Sequence, residues 1–428
     1  MEKYMNETAY ANYIKILNEE LLPAMGCTEP ISVAYAAALA REALGSLPER
    51  VEISVSGNIL KNVKSVIVPN TCGLKGIAAA VAAGVVAGKA EKKLQVLASI
   101  ADGDRRKISE YLAKTCIKVH HAQSGCIFDI GVRVFNGEEN AFVRIEGHHT
   151  NVVAIEKNGE SIADCKCVSD YECVLTDRSV LSVCGIVEFA NTAAIDDIKE
   201  VIERQISFNT AISDEGLKND YGARVGKILL KAYGDGVHNK ARAAAAAGSD
   251  ARMNGCNLPV IIVSGSGNQG ITACVPVTVY AQKTGASHEK LIRAVALADL
   301  ITIHLKTGIG RLSAYCGAVS AGAGAGAGIC YLLGGGYDEI AHTIANALAI
   351  DSGLICDGAK SSCAAKIATA VDAGITGMEM YRNGSQFYGG DGILDSAVEK
   401  TIDNVCDLAR IGMKETDEEI IRLMIKNM

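Results

Sequence analysis

The chain has 428 residues, of which 49% are hydrophobic and only 6 are proline, so a disordered chain is excluded. Its 42 Lys and Arg residues against 49 Asp and Glu give a formal net charge of −7. Because no basic run is present, neither a nucleic acid nor an anionic membrane is expected as the main partner.

In chain order, the spacing of apolar residues predicts helices in the first 92 residues, with one alternating strand at Val51–Gly57. Between 94 and 163, short β-type runs bounded by polar turns surround one helix at 107–114. After Thr176 the pattern is helical almost throughout. The helices predicted there are 180–190, 194–214, 218–232, 237–254, 270–284, 288–306, 312–333, 337–350, 360–373 and 393–410.

This order of helices, a small sheet and a long helical run is typical of an α+β fold rather than a doubly wound α/β fold. We therefore expect a mainly α-helical domain with a smaller inserted α+β domain. The expected segments are 1–92, which packs on the helical domain, 93–175 for the small α+β unit, and 176–428 for the helical domain. The polar start of the chain lacks a basic stretch followed by an apolar one, so a cytoplasmic protein is expected.

One uncharged stretch, Leu312–Tyr337, requires a membrane test. Its core, Ser320–Gly328, alternates glycine with alanine and is poor in the large apolar residues of a membrane span. The glycine spacing also suits close helix contacts. We expect a buried helix of the bundle.

The 15 cysteines are unusual for a chain without an export signal, and we expect them to be reduced. Cys165 and Cys167 form a CxC in a polar stretch, but no second pair lies at zinc-finger spacing. Several others are interpreted as small buried hydrophobic residues: Cys116, Cys126, Cys173, Cys184, Cys330 and Cys406.

A glycine-rich motif, Gly265–Gly270, follows the strand-like run Asn257–Gly265 and fits G-x-G-x-x-G. No second strand with an acidic end follows it, so the signal for a dinucleotide is weak. Glycines together with Ser266, Asn268 and Gln269 before a helix expose backbone N–H groups, which suit a small anion such as a carboxylate.

Three further cysteines lie in small-residue surroundings: Cys316 at the start of the glycine–alanine helix, and Cys356 and Cys363 on either side of Asp-Gly-Ala-Lys-Ser-Ser. Three thiolates without a fourth suggest an iron–sulfur cluster with one open iron, or an open zinc site. The alternative is three buried thiols in glycine-rich turns.

Four motifs in order carry a family resemblance. Gly26–Pro30, Gly265–Gly270, Leu312–Ala318 and Leu354–Lys360 together resemble the L-cysteine desulfidase family over nearly the whole chain. The helical half alone is similar to the α-domain of iron–sulfur L-serine dehydratases, in which three cysteines hold a [4Fe–4S] cluster. The resemblance implies a catalytic helical domain, although Ser362–Lys366 departs from the dehydratase pattern.

Carried over by position, Cys316, Cys356 and Cys363 are the implied cluster ligands. The implied reaction is β-elimination from L-cysteine to pyruvate, ammonia and hydrogen sulfide, with the open iron binding the soft substrate sulfur. A base must remove the Cα proton. Cys27 is the candidate, with a pKa lowered near a cationic site or helix N-terminus, and Glu29 orients it or the substrate ammonium. Cys27 as a fourth ligand and Cys27 as a structural thiol stay open.

The residues expected to hold the substrate carboxylate are Ser266, Gly267, Asn268, Gln269 and Gly270. The pairs His120–His121 and His148–His149 are interpreted as surface or edge features of the small sheet. Partners are then a small amino acid and further copies of the chain in a homo-oligomer, with no nucleic acid and no membrane. Alternative functions are L-serine dehydration, a non-catalytic metal- or amino-acid-binding protein and, last, a dinucleotide-dependent oxidoreductase.

Overall fold

A computed structural model describes residues 6–122, 124–163 and 175–426. The predicted CxC at Cys165 and Cys167, and Cys173, lie outside the described residues. The helices are α1 (Glu7–Glu20), α2 (Thr28–Leu44), α3 (Gly57–Val63), α4 (Gly76–Ala87), α5 (Asp102–Lys114), α6 (Val183–Thr192), α7 (Ile195–Lys218), α8 (Val225–Tyr233), α9 (Val237–Met253), α10 (Gly267–Thr284), α11 (His288–Ile309), α12 (Gly317–Leu332), α13 (Tyr337–Ile350), α14 (Cys363–Arg382), α15 (Val398–Asp407) and α16 (Lys414–Lys426). The strands are β1 (Pro23–Met25), β2 (Arg50–Val55), β3 (Cys116–His121), β4 (Asp129–Asn136), β5 (Glu139–Glu146), β6 (Val152–Lys157), β7 (Glu160–Ser161) and β8 (Pro259–Ile261).

The larger sheet has the strand order β3-β2-β4-β5-β6-β7, with β2 parallel to β3 and the other pairs antiparallel. Strand β2 alternates buried Val51, Ile53 and Val55 with less buried residues, so one face of the strand lies in the core. It comes from the expected segment 1–92, whereas its neighbours come from 93–175. The sheet therefore combines strands from both sides of residue 92, and the division into three segments stays a prediction.

The helical part is built around α12, whose residues from Ala318 to Leu332 are all buried. At Gly322, an added Cβ would lie 2.3 Å from the carbonyl oxygen of Ala370. At Gly326, it would lie 2.6 Å from the carbonyl oxygen of Gly374. These two glycines therefore bring the backbones of α12 and α14 into direct contact. Gly324 and Gly328 lie between and beyond these two glycines, and there an added Cβ would meet backbone oxygens of α11. The backbones of α12 and α11 are therefore also in close contact.

These findings confirm an α+β, mainly helical fold and a buried core helix at the uncharged stretch. Within the part of the chain that the structure describes, no helix is both long and apolar enough to cross a membrane.

A two-stranded sheet links the N-terminal segment to the helical part. Strand β1 pairs antiparallel with β8, so that Pro23 faces Ile261 and Met25 faces Pro259. The Thr28 hydroxyl, at the start of α2, donates to the Gly265 carbonyl over 2.9 Å. The loop that carries Cys27 is therefore held beside the glycine-rich motif.

The cysteine predictions are partly wrong. Cys330 and Cys406 are buried as expected, but Cys116 and Cys184 are exposed, and Cys126 is half-buried with its thiol donating to Glu146. Cys116 lies on β3, the edge strand, and Cys184 in the first turn of α6, where one side of each element faces solvent.

We expect Gly326→Ala to destabilise the protein by about 1–3 kcal/mol, because the new methyl group overlaps the α14 backbone. Chemical denaturation would measure the free energy of unfolding. The matched control is Gly103→Ala in α5, where an added Cβ meets no atom within 4 Å. That change should be neutral or stabilise the protein by up to about 1 kcal/mol. Equal losses in the two variants would contradict backbone contact between α12 and α14.

Candidate functional site

A cavity of about 110 Å³ lies where the starts of α2 and α10, the ends of α9 and α11 and two loops meet. Most of the residues predicted from the sequence line it. They are Cys27, Glu29, Ser266, Asn268, Gln269, Cys316, Cys356 and Cys363. Gly267 and Gly270 do not line the cavity.

Cys316 and Cys356 are brought together by a short antiparallel bridge. The Cys316 N–H donates to the Leu354 carbonyl over 2.9 Å, and the Cys356 N–H donates to the Ala314 carbonyl over 2.7 Å. The two thiols are close enough for each to shift the pKa of the other. Residues 40 positions apart are thereby fixed side by side.

Cys363 is the third thiol on this wall, and it begins α14. Its thiol lies 3.8 Å from the Gly358 carbonyl oxygen, and it is close enough to Cys356 for the two sulfurs to interact electrostatically. Cys316 is the N-cap of α12. Both sulfurs are therefore near the positive end of a helix dipole, which opposes the burial that raises the pKa of Cys363.

Buried cations lie beside these thiols. Burial lowers the pKa of the Lys306 ammonium to about 8, against the opposing effect of Cys356 and Cys316. The contact with Cys316 lowers the pKa of Cys356 to about 6, and Lys61 contributes to the shift. The same contact raises the pKa of Cys316, so one proton is retained between the two sulfurs.

Cys27 lines the same cavity and belongs to a small buried cluster against which Cys363 packs. Its thiol donates to Glu29 Oε2 over 3.0 Å, and the other oxygen of Glu29 accepts from Asn62 over 3.1 Å. Burial, followed by the Glu29 charge, raises the pKa of Cys27 well above its ordinary value. The predicted lowering of this pKa is therefore wrong for the protein without a bound group, in which Cys27 is a protonated thiol paired with a carboxylate.

The glycine-rich motif is not a loop beyond Ser266. Ser264 and Gly265 have φ angles of 48° and 79°, which form a tight turn, and α10 begins at Gly267. The Gly270 N–H already donates to Ser266, and an added Cβ at Gly270 would lie 2.0 Å from the Ile261 carbonyl oxygen. Gly270 therefore packs against β8 and is not available to hold a carboxylate.

Arg252 is the main site residue that the sequence analysis missed. It lies in the last turn of α9, is 2% exposed, and its Nη1 donates to Asn268 Oδ1 over 3.1 Å. Gly267 packs against this guanidinium, because a Cβ there would lie 2.4 Å from Nε. All residues from Ala243 to Met253 are buried, and the alanine-rich composition of this helix is the signal that could have revealed a buried arginine.

The histidine interpretation is half correct. His120 and His121 are exposed on β3, as expected. His148 and His149 are buried instead, since they follow β5 in a turn that enters the core. The His149 ring packs edge-on against Phe128 at 4.9 Å between centroids and lies behind Gly265.

The chain matches known proteins over almost its whole length. Residues 91–422 match the family model described as "Serine dehydratase alpha chain". The chain belongs to the serine dehydratase alpha chain family. Membership of this family indicates a lyase of the serine dehydratase type. The match includes most of the small sheet as well as the helical part, so the resemblance of the helical half to these dehydratases is confirmed.

Relatives that are similar over the full chain carry a name that specifies no reaction. A UPF0597 protein of Desulfitobacterium hafniense is 56% identical over 97% of both chains. UPF0597 proteins of Lachnoclostridium phytofermentans and Treponema denticola are 50% and 44% identical, over 97% and 99% of this chain and 100% of theirs. The narrower resemblance to L-cysteine desulfidases stays a prediction.

Cys316, Cys356 and Cys363 are the described residues that would hold an iron–sulfur cluster in this cavity. Among the described residues, no three His, Cys, Asp or Glu side chains are close enough to hold one metal ion. In a cluster each cysteine binds a different iron, so three sulfurs along one wall are compatible with it. Gly317, Ala318, Gly358 and Ala359 line the same wall and leave space beside the sulfurs.

In the protein without a bound group, we expect Cys356 to be alkylated by iodoacetamide with a midpoint near pH 6, because a lowered pKa leaves a thiolate at neutral pH. Peptide mass spectrometry from pH 5 to 10 would measure this. Lys61→Met should move the midpoint to higher pH. The control Lys64→Met, one helical turn away, should not. A wild-type midpoint near the ordinary thiol value of about 8.5 would contradict the account.

Proposed function

We propose that the protein converts L-cysteine and water to pyruvate, ammonia and hydrogen sulfide by β-elimination at a [4Fe–4S] cluster. Cys316, Cys356 and Cys363 would hold the cluster. The observation that carries the proposal is the convergence of these three thiols on one cavity that also contains the Cys27–Glu29 pair. Family membership supports the lyase chemistry.

When bound, a cluster with three protein thiolates supplies an open iron, a Lewis acid that suits a sulfur leaving group. The chain supplies the base. Glu29 accepts the proton that the Cys27 thiol already directs at it, and the resulting thiolate takes the Cα proton of the substrate. The electron pair of the C–H bond forms the Cα–Cβ double bond as the C–S bond breaks. The aminoacrylate then tautomerises and takes up water, which yields pyruvate and ammonia.

The raised pKa of Cys27 determines how this base works. A thiol with a raised pKa is not ionised on its own at neutral pH. Transfer of its proton to the adjacent carboxylate is therefore part of the step, and Glu29 acts together with Cys27 as one unit. The Asn62 amide, which donates to Glu29 Oε1 over 3.1 Å, helps to hold the carboxylate in place.

L-Serine dehydration by the same residues is the second candidate, and the family description favours it. A hydroxyl group leaves less readily than a thiol and needs a proton donor. Lys306 and Tyr315 line the cavity beside Cys316 and are the available donors. A non-catalytic amino-acid-binding protein is the third candidate. The homo-oligomeric state stays a prediction.

We expect anaerobically reconstituted protein to be brown and to release sulfide from L-cysteine faster than it forms pyruvate from L-serine. Cys316→Ala should remove colour and activity together, because a ligand is lost. Cys27→Ala should keep the colour and lower kcat by about 100- to 10,000-fold, the usual contribution of a general base. Absorbance and sulfide assays measure both.

The matched control is Cys184→Ala, which removes an exposed thiol outside the cavity and should leave colour and activity unchanged. Loss of colour in Cys27→Ala would make Cys27 a ligand rather than a base. Colourless, inactive wild-type protein after reconstitution would favour the binding protein, and faster turnover of L-serine would favour the dehydratase.

A further inference from the structure

Arg252 is a buried cation, and no carboxylate of the described residues lies within ion-pair distance of it. Within the described residues its one hydrogen bond is to the neutral Asn268 side chain, and its Nε has no partner. Arg311, on the same cavity wall, differs because Glu20 pairs with it at 3.0 Å. Burial of an unpaired guanidinium is costly, so its retention at a cavity points to an anionic ligand.

Gln269 lines the same cavity and has a hydrogen-bond acceptor without a donor among the described residues. It is 4% exposed, and its Oε1 accepts no hydrogen bond from any described residue. An unpartnered amide oxygen in a buried position requires a donor. The amide lies against Gly317, directly after the cluster ligand Cys316, because a Cβ at Gly317 would be 2.7–3.0 Å from its atoms.

The two groups belong to one rigid unit. Gln269 and Asn268 lie in the first turn of α10, and Asn268 is hydrogen-bonded to Arg252. Gly267 allows the guanidinium to pack directly on this turn. A cation and a hydrogen-bond acceptor thus line one cavity together with the thiols.

We propose that Arg252 and Gln269 form a receptor for the zwitterionic head of an α-amino acid, with Arg252 binding the carboxylate and Gln269 Oε1 accepting from the ammonium. This deepens the proposed function, on which it rests. In this receptor the substrate carboxylate binds Arg252 rather than the glycine-rich motif. Glu29 is then not needed for the substrate ammonium and can pair with Cys27. The receptor selects α-amino acids over acids or amines that lack one of the two charges.

Calorimetric titration of the anaerobically reconstituted holoenzyme tests this receptor with L-alanine, propionate and ethylamine as probes. L-Alanine has no leaving group, so its binding is independent of elimination. We expect propionate and ethylamine, which lack the ammonium and the carboxylate respectively, to bind at least about tenfold more weakly than L-alanine. Equal binding of all three probes would overturn the receptor.

The variants separate the two roles. Arg252→Met should weaken L-alanine binding by roughly tenfold to hundredfold and raise the KM for L-cysteine, with cluster absorbance unchanged. Gln269→Leu should bind propionate as the wild type does and lose the preference for L-alanine. Arg242→Met is the matched control, since Arg242 lies on the same helix, pairs with Asp372 and is outside the cavity.

The outcomes distinguish the receptor from the reaction. Wild-type affinity for L-alanine in Arg252→Met would overturn the receptor, even if L-cysteine is turned over. Selective binding of L-alanine that depends on Arg252, in a protein that releases no sulfide, would support the receptor and contradict the L-cysteine reaction alone.

Discussion

The site depends on one backbone contact, the antiparallel bridge that joins Tyr315 to Ile355. Its two hydrogen bonds fix Cys316 and Cys356 side by side. The bridge can form because α12 and α14, which follow the two cysteine loops, approach until their backbones touch at glycine positions. The same packing delivers Cys363, the first residue of α14, to the cavity. Small residues in the core therefore determine the positions of the thiols on the wall.

Charge is the second constraint on this site. Three thiolates that hold a buried cluster would need compensating charge, and the chain provides buried Lys306 and Lys61 together with two helix N-termini. Asp417, near the end of the chain, pairs with Lys61 and ties α16 to the site. The lining of the cavity thus combines thiols, which suit a soft metal, with polar groups, which suit a polar ligand.

Local patterns in the sequence predicted the helices well, because they depend on spacing within a few residues. Tyr337–Ile350 was predicted at its observed bounds, and Val237–Met253 differs by one residue. The sequence predicts that α10 starts at residue 270, whereas it starts at Gly267. Glycines disfavour a helix locally, but the packing of Gly270 against β8 stabilises this one. The pairing of β2 with β3 and the burial of His149 depend on distant contacts, which no local pattern contains.

The most direct measurement is iron and sulfide analysis with Mössbauer spectroscopy of the anaerobically prepared wild-type protein, before and after L-cysteine is added. The account predicts the iron and sulfide of one [4Fe–4S] cluster per chain, with one iron whose signal changes when the amino acid binds. Protein that takes up no iron, or binds it without sulfide, would contradict the assignment of Cys316, Cys356 and Cys363 as cluster ligands.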